Sequence, residues 1–584
     1  MSNKQTFISH NNNKFLKQIL FFLIYSLLLV KPIFAVESVT EATVFDESGR
    51  YESLINSQAQ VFRDNVLINM FITASDLISE NAIYERYYNE WTTIIDREIS
   101  AKYGRLDINN LPVSRQKECA EEILSLLHKE FFIRYSEYAN SPGELFRERV
   151  YNCVTSSIIY AALLTRYNIG RVEAVETNDH VYISIIFEDC RIDVETTNLY
   201  GFNPGNKREV LDNLGRITGF VYVPSNNHAN TSIIDLKKLI SLVLHNRAVV
   251  AANQRGDHLK AAKLSYIYSL VRADQKGQTD LYAGFQNLIA SLASQSRFDE
   301  ALFVINGIFA RYGIIELFFK MRPVIYGQMT NVSTTEAQLL RVKTLLNNEY
   351  LQYQDYYRTQ YRSDFADAYF SMIVNYVNLL SNNKRFSEAF TLLQEFKSVY
   401  THPKTQELLR SLLIDFANNT IRSNFNPPID YNRFNELSEI FSDMQNEVFA
   451  IEKYYRMHYI DYRIKLSSFD GLASEVEQLI GRFNNDREVT NLARYFYVQS
   501  GVFYNGRQMF REAVEISESG INKLGPDQVI SRNLSIYYKQ YINSIIQNNN
   551  STLALSVLRT AIARFPNDPQ LTELERIISR GNYD

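Results

Sequence analysis

A short motif recurs along the C-terminal part of the chain and constrains the fold more than any other feature. Each copy runs from a large apolar residue, through polar residues, to a small or apolar residue, as in Phe510-Arg511-Glu512-Ala513. The final residues of the copies are Ala262, Ala301, Ala389, Leu437, Leu472, Ala513 and Ala554. They lie 39, 88, 48, 35, 41 and 41 residues apart, and the longest gap corresponds to two units with Ala337 as a weak intermediate. A period of about 34–45 residues with two helices per unit predicts an all-α helical-hairpin solenoid over residues 236–584.

The small residue that ends the motif has a physical role, because the two helices of a hairpin approach each other closely there. In this respect the motif resembles the start of the second helix of tetratricopeptide repeats. Such repeats present extended concave surfaces, so the resemblance implies a peptide or protein partner. The alternative is a helical domain without repeats.

The N-terminus carries a targeting pattern. Lys4, Lys14 and Lys17 precede an apolar run over residues 19–30, which ends at Lys31-Pro32. A membrane-spanning helix needs about 20 apolar residues, and this run has only 12. We therefore expect residues 1–35 to be a cleaved secretory signal peptide, with no span beyond it. The protein is then exported and is periplasmic, bound to the cell envelope or secreted; the alternative is an uncleaved N-terminal anchor.

Charge and cysteine content narrow the function classes. The formal net charge is -4, which gives no basic footprint and argues against a nucleic-acid partner. The cysteines are Cys119, Cys153 and Cys190, and an odd number in an exported chain leaves at least one unpaired thiol. Neither metal-ligand spacing of His and Cys nor a Gly-rich phosphate loop occurs, so we expect no metal and no cofactor.

The pattern changes after a mostly helical region at residues 36–145. Residues 150–167 carry small and apolar side chains at helical spacing, and three short β-rich runs follow at residues 171–175, 180–187 and 191–195. A helix followed by antiparallel strands predicts an α+β domain over residues 146–235.

Cys153 lies at the beginning of the predicted helix. There the unpaired amides and the helix dipole favour thiolate over thiol, and an amide is free to stabilise an oxyanion. These features indicate a nucleophile. The alternative is a buried, inert cysteine.

His180 begins a strand after a polar loop, where its ring can reach the start of a neighbouring helix. A Cys–His pair is the minimum needed for thiolate attack on an acyl carbon. Asp193 and Glu195 alternate with apolar residues, so both carboxylates are expected on one face of the next strand. One of them then orients the imidazole. The alternatives are a solvent-facing His and two exposed carboxylates.

This order of helix with Cys, strand with His and strand with carboxylate resembles the transglutaminase-like superfamily of papain-like folds. The family pattern has His-Ala-Trp at the strand start, where this chain has His180-Val181-Tyr182. Its Asp-Pro-Thr corresponds to Glu195-Thr196-Thr197, 15 residues further on. Register therefore favours Glu195 as the orienting acid, although the family uses Asp, and Asp193 is the rival.

Residues 151–224 also resemble a branch of this superfamily found in exported bacterial proteins, spirochaetes among them. The matching segments are Tyr151-Asn152-Cys153, Asp179-His180, residues 193–205 and residues 218–224. The resemblance implies a cysteine-dependent hydrolase or acyltransferase that acts on peptide or cell-wall amides. The alternative is a non-catalytic peptide- or protein-binding scaffold with an inactive transglutaminase-like fold.

Overall fold

The computed structural model describes residues 39–40, 44–45, 50–57, 63–103, 111–205, 215–216, 223–227, 229–400, 402–423 and 427–579. The predicted signal peptide at residues 1–35 and most of the 218–224 segment lie outside these residues. The chain divides into two compact units, Met1–Phe319 and Lys320–Asp584. Among the described residues, no helix is both long and apolar enough to cross a membrane.

Helices dominate the part of the first unit that precedes Cys153. They are α1 (Glu52–Ile55), α2 (Asp64–Ala74), α3 (Asn81–Tyr103), α4 (Val113–Leu126) and α5 (Pro142–Phe146). A π-turn, Leu127–Phe131, extends α4. Two short strands, β1 (Arg134–Tyr135) and β2 (Val150–Tyr151), pair in parallel and lead the chain into the next helix.

The predicted helix and antiparallel strands are present. Helix α6 (Cys153–Arg166) is followed by β3 (Arg171–Glu176), β4 (Val181–Ile186) and β5 (Arg191–Val194). A fourth strand that the sequence pattern did not indicate, β6 (Ser232–Ile234), pairs with β3, so the sheet order is β5-β4-β3-β6. All of its pairings are antiparallel.

Helix α6 is the centre of the first unit. Residues 154–164 are all buried, because α6 packs against β4 on one side and against α2 and the later helix α7 (Leu236–Arg255) on others. A helix that is apolar or small all round needs such complete coverage. The end of α6 that bears Cys153 is therefore held by several elements at once.

The region after β6 is helical. In the first unit α7 is followed by α8 (His258–Val271), α9 (Gln275–Ser294) and α10 (Phe298–Tyr312). Each helix packs on the next. Helix α11 (Glu316–Val332) contains the boundary between the units.

The second unit continues the helical pattern. Its helices are α12 (Glu336–Gln352), α13 (Gln354–Thr359), α14 (Arg362–Asn382), α15 (Phe386–Val399), α16 (Thr405–Ser423), α17 (Pro427–Ile440), α18 (Gln445–Lys465), α19 (Leu472–Arg482), α20 (Arg487–Gly506), α21 (Phe510–Leu524), α22 (Gln528–Gln547), α23 (Ser551–Arg564) and α24 (Pro569–Ser579). From α19 onward each helix packs on its successor. This contact between sequence neighbours is the arrangement of helical repeats.

The motif residues lie where the repeat prediction requires them. Ala301, Ala389, Ala513 and Ala554 are fully buried near the starts of their helices. Gly501 shows how close the packing is, since an added Cβ would lie 2.9 Å from the ring of Tyr537 on α22. The helical-repeat part of the fold prediction therefore holds, whereas the domain boundaries stay a prediction.

A buried ion pair joins the sheet to the first repeat helices. Glu176 ends β3, and its carboxylate lies 2.6 Å from both the Arg272 guanidinium and the Lys276 ammonium. Arg272 and Glu176 are only 4% and 5% exposed. The chain reverses at residues 177–180 directly after Glu176 and then reaches His180, so this pair ties the loop before His180 to α9.

We expect Arg272→Leu to destabilise the first unit by about 3 kcal/mol, because it leaves a buried carboxylate with one cation. Urea unfolding followed by Trp91 fluorescence measures this unit specifically. Trp91 is the one Trp of the chain, and it is buried against Phe131.

The matched control is Arg322→Leu. Arg322 is equally buried and lies 2.6 Å from Glu349, but both belong to the second unit. Arg322→Leu should leave unchanged the urea unfolding transition that Trp91 fluorescence reports. An unchanged transition in Arg272→Leu as well would show that the Glu176 pair does not hold the sheet.

Candidate active site

Asn152 fixes the position of Cys153. It caps α6 with a reciprocal pair of bonds, in which Thr155 N donates to Asn152 Oδ1 at 2.8 Å and Asn152 N donates to Thr155 Oγ1 at 2.9 Å. Cys153 is the first residue of the helix and is half-buried. Its thiol thus lies at the positive end of the helix dipole, where an anion is stabilised.

Asn152 is in turn held from a distant helix. Its side-chain amide donates to Asn140 Oδ1 at 2.7 Å, and Asn246 of α7 donates to the same oxygen at 2.8 Å. Sequence reasoning missed both Asn140 and Asn246. The one available signal was a polar Asn in the middle of the helix that begins the repeats.

His180 is held by a tight turn before β4. Thr177 N donates to the His180 carbonyl at 2.9 Å, and His180 N donates to Thr177 Oγ1 at 3.1 Å. Strand β4 packs against α6, which brings the ring to the start of the Cys153 helix. The His180 side chain is 1% exposed, so the predicted solvent-facing alternative does not describe it.

Glu195 is the acid that contacts His180. Its Oε2 lies 2.7 Å from His180 Nε2, and its side chain is fully buried. The other oxygen, Oε1, accepts from Thr197 Oγ1 at 2.7 Å and from Thr197 N at 3.2 Å. Both oxygens are thus bonded, and the carboxylate has a fixed direction.

The segment around Glu195 is attached to the Cys153 helix. Thr196 Oγ1 lies 2.8 Å from Ser156 Oγ and 2.9 Å from Ser157 Oγ, in a fully buried cluster of hydroxyls. Gly201 then folds back onto Glu195, since an added Cβ would lie 1.9 Å from the Glu195 carbonyl oxygen. A side chain at position 201 would therefore not fit.

Asp193, the rival acid, has different partners. Ser184 Oγ donates to one of its oxygens at 3.0 Å, and Ser225 N donates to the other at 3.0 Å. These bonds tie β5 to β4 and to the segment before β6. The structure thus brings Cys153, His180 and Glu195 together and gives Asp193 a position that supports the sheet.

The Cys153 thiol acts electrostatically on the His180 ring. Burial alone would lower the pKa of His180, but the charges of Glu195 and Cys153 and the hydrogen bonds to both outweigh burial, so the pKa lies well above its usual value. Glu195 Oε2 is the partner of Nε2. The raised pKa favours the imidazolium form of His180 beside the Glu195 carboxylate.

The raised pKa of His180 predicts how its contribution to the free energy of unfolding depends on pH. A histidine whose pKa is higher in the folded than in the unfolded state stabilises the folded protein. This stabilisation is complete below the unfolded-state pKa of about 6.5, and it is lost as the pH rises through the folded-state pKa. We therefore expect the difference in unfolding free energy between the native protein and His180→Gln to shrink as the pH rises above about 6.5. Urea unfolding followed by Trp91 fluorescence at a series of pH values measures it; a difference that grows with pH would contradict the assignment.

His128 lies behind this site and is not a second base. Its Nε2 lies 3.1 Å from the Thr196 carbonyl oxygen. Burial lowers its pKa to about 4, although the bond to Thr196 acts in the opposite direction. His128 is therefore neutral near pH 7 and supports the Glu195 segment.

Cys153 opens onto a cleft of about 320 Å³. Asn152 and Asp179 lie beside the thiol, and one wall comes from the Tyr135–Asn140 stretch. Helix α7 forms the other wall with Asn246, Val249, Val250, Asn253 and Gln254. The first repeat helix is thus part of the cleft.

No group of three His, Cys, Asp or Glu side chains suited to a metal ion occurs among the described residues.

Comparisons with known proteins identify no family for this chain. No family model matches it, and no curated protein matches it. A search of solved structures gives the crystal structure of the APC/C hetero-tetramer Cut9–Hcn1, at 12% identity over 64% of this chain and 80% of that chain. The TM-score is 0.14, so this likeness carries no argument about fold or function.

Proposed function

We propose that this protein is a cysteine-dependent enzyme that acts on amide bonds, with a transglutaminase-like core that includes α6 and the four-stranded sheet. Cys153 is the nucleophile, His180 its base and Glu195 the orienting acid. The carrying observation is the buried His180–Glu195 contact of 2.7 Å, at a ring whose pKa Cys153 also helps to raise. The sequence resemblance supports the same three roles.

The reaction follows from this geometry. The Cys153 thiolate attacks the carbonyl carbon of an amide, and the unpaired amides at the start of α6 stabilise the oxyanion. The His180 imidazolium then gives its proton to the leaving nitrogen, and the C–N bond breaks to leave a thioester on Cys153. Attack by water, with His180 as the base, gives an acid; attack by an amine gives a new amide. Glu195 holds the ring in place throughout.

We also propose that the reaction takes place outside the cytoplasm. The signal peptide expected at residues 1–35 places the enzyme outside the cytoplasm. Peptides or cell-wall amides are then the available substrates. The helical repeats provide the surface that would bring a peptide or protein partner to the cleft.

A direct test is to incubate the purified protein with a mixed peptide library and with peptidoglycan fragments, with and without added amines, and to analyse the products by mass spectrometry. New products should form with the native protein and with Cys190→Ser, whose altered thiol is not at the site. They should be absent with Cys153→Ala. Products that persist in Cys153→Ala would overturn the assignment of the nucleophile.

A non-catalytic scaffold is the second candidate, and the helical repeats favour it. In the second unit a groove of about 790 Å³ is lined by Ile414, Tyr454, Met457 and His458 among others. Its surface is mostly apolar, as in a site for a peptide side chain. On this account a peptide array should show binding that Tyr454→Ala removes and Cys153→Ala does not change.

A further inference from the structure

The cleft above Cys153 has an acidic lining. Among the described residues that form it, Glu137 and Asp179 are carboxylates and none is Lys or Arg. Both carboxylates are exposed. Asp179 accepts a bond from the neutral Thr177 hydroxyl, and neither carboxylate forms an ion pair with a described residue.

Positive side chains lie outside this lining. Arg247, Arg255 and Lys260 line an adjoining pocket of about 180 Å³ together with the carboxylate of Glu144. Arg247 already serves the fold, since its guanidinium donates to the Ala74 carbonyl and lies 3.7 Å from the Asp76 carboxylate. The charged side chains that line the Cys153 cleft itself are therefore both negative.

The rest of the cleft is neutral and suited to a peptide backbone. Asn253 and Gln254 each offer both a donor and acceptors. They can bond the N–H and C=O groups that every peptide carries, whatever its side chains. Val249 is 42% exposed and offers an apolar contact. These neutral groups do not discriminate between positively and negatively charged substrates. Any such discrimination in the cleft therefore comes from Glu137 and Asp179.

We infer that the Cys153 cleft selects substrates that carry a positively charged group beside the scissile amide. This inference rests on the proposed function and narrows its substrate class. Fixed charges in a cleft raise the local concentration of ions of opposite sign and lower that of like-charged ones. A peptide with a basic residue next to the reacting carbonyl would be favoured, and one with an acidic residue there would be repelled.

Charged methanethiosulfonates test this without knowledge of the substrate. The thiolate attacks the sulfenyl sulfur, a disulfide forms and a sulfinate leaves, so the reagent charge alone differs between a trimethylammonium reagent and a sulfonate reagent. The experiment uses the full-length Cys190→Ser protein. It compares the two second-order rate constants at Cys153, each divided by the rate constant for a small free thiol.

The cationic reagent should be favoured by about tenfold at low ionic strength, and salt should reduce this preference. The variant with Glu137→Gln and Asp179→Asn should lower the ratio to about one to two. The control with Arg255→Gln and Lys260→Gln should not lower it. A native ratio of one or less, or a ratio that Glu137→Gln with Asp179→Asn leaves unchanged, would overturn the inference. An unactivated Cys153 slows both reagents alike and leaves the ratio intact, so failure of the proposed function is seen separately.

Discussion

We expect the replacement of His180 by Ala to lower the rate of Cys153 alkylation by iodoacetamide at pH about 6 by roughly 10- to 100-fold. A free cysteine has a pKa of about 8.5 and is almost wholly protonated at that pH. In the native protein the His180 ring has a raised pKa, to which Cys153 contributes. On the proposed mechanism the ring takes the thiol proton, so the native protein reacts faster than His180→Ala. The lower intrinsic nucleophilicity of such a thiolate offsets part of the gain. Mass spectrometry of the alkylated protein, in the Cys190→Ser background, measures these rates.

Two internal controls accompany this variant. Cys119 is fully buried, and burial raises the pKa of its thiol to about 11, so it should stay unmodified. His245→Ala removes another His–carboxylate pair, in which His245 Nδ1 lies 2.7 Å from Asp280 Oδ2, and it should leave the Cys153 rate unchanged. Equal rates in the native protein and in His180→Ala would contradict an activated thiol.

Replacing Glu195 by Gln should have the second large effect and should separate the two acids considered from the sequence. The variant keeps the shape of the side chain but removes the charge that raises the pKa of His180. We expect the His180 pKa to fall, as followed by NMR titration of the ring. Loss of an orienting acid of this kind lowers turnover by about 10³–10⁴-fold in comparable triads.

Asp193→Asn is the matched comparison. Asp193 accepts from Ser184 and Ser225, so this change should cost about 1–3 kcal/mol of stability through weakened buried bonds. The His180 titration should stay close to native. If the two variants shifted the His180 titration equally, Glu195 would not be the specific partner of the ring.

The sequence could predict the elements that bear the site, because each depends on local pattern. The small and apolar residues after Cys153 predict α6, and the alternation after His180 predicts β4. The recurring small residue predicts the helical hairpins. These patterns report burial on one face or on all faces of a single element.

The choice between Asp193 and Glu195 could not be made by alternation, and the reason is physical. Alternation holds only along a strand, and β5 ends at Val194. The direction of Glu195 is set instead by a turn in which Glu195 N donates to the Gly201 carbonyl and Thr196 bonds two serines of α6. Register with the family pattern favoured Glu195, and Glu195 Oε2 lies 2.7 Å from His180 Nε2.

The cleft could not be predicted at all, because its walls come from distant parts of the sequence. Asn140 and Asn246 are 106 residues apart and meet on one hydrogen bond. Neither residue belongs to a motif. The role of α7 as a wall of the cleft follows only from how α7 packs against α6.

The central claim is that Cys153 and His180 form a charged pair, and ultraviolet absorbance tests it most directly. The thiolate absorbs where the thiol does not, so the difference in absorbance between the native protein and Cys153→Ser reports its charge as the pH changes. We predict that the thiolate signal emerges at lower pH in the native protein than in His180→Ala. A signal that emerges at the same pH in both proteins would contradict the account.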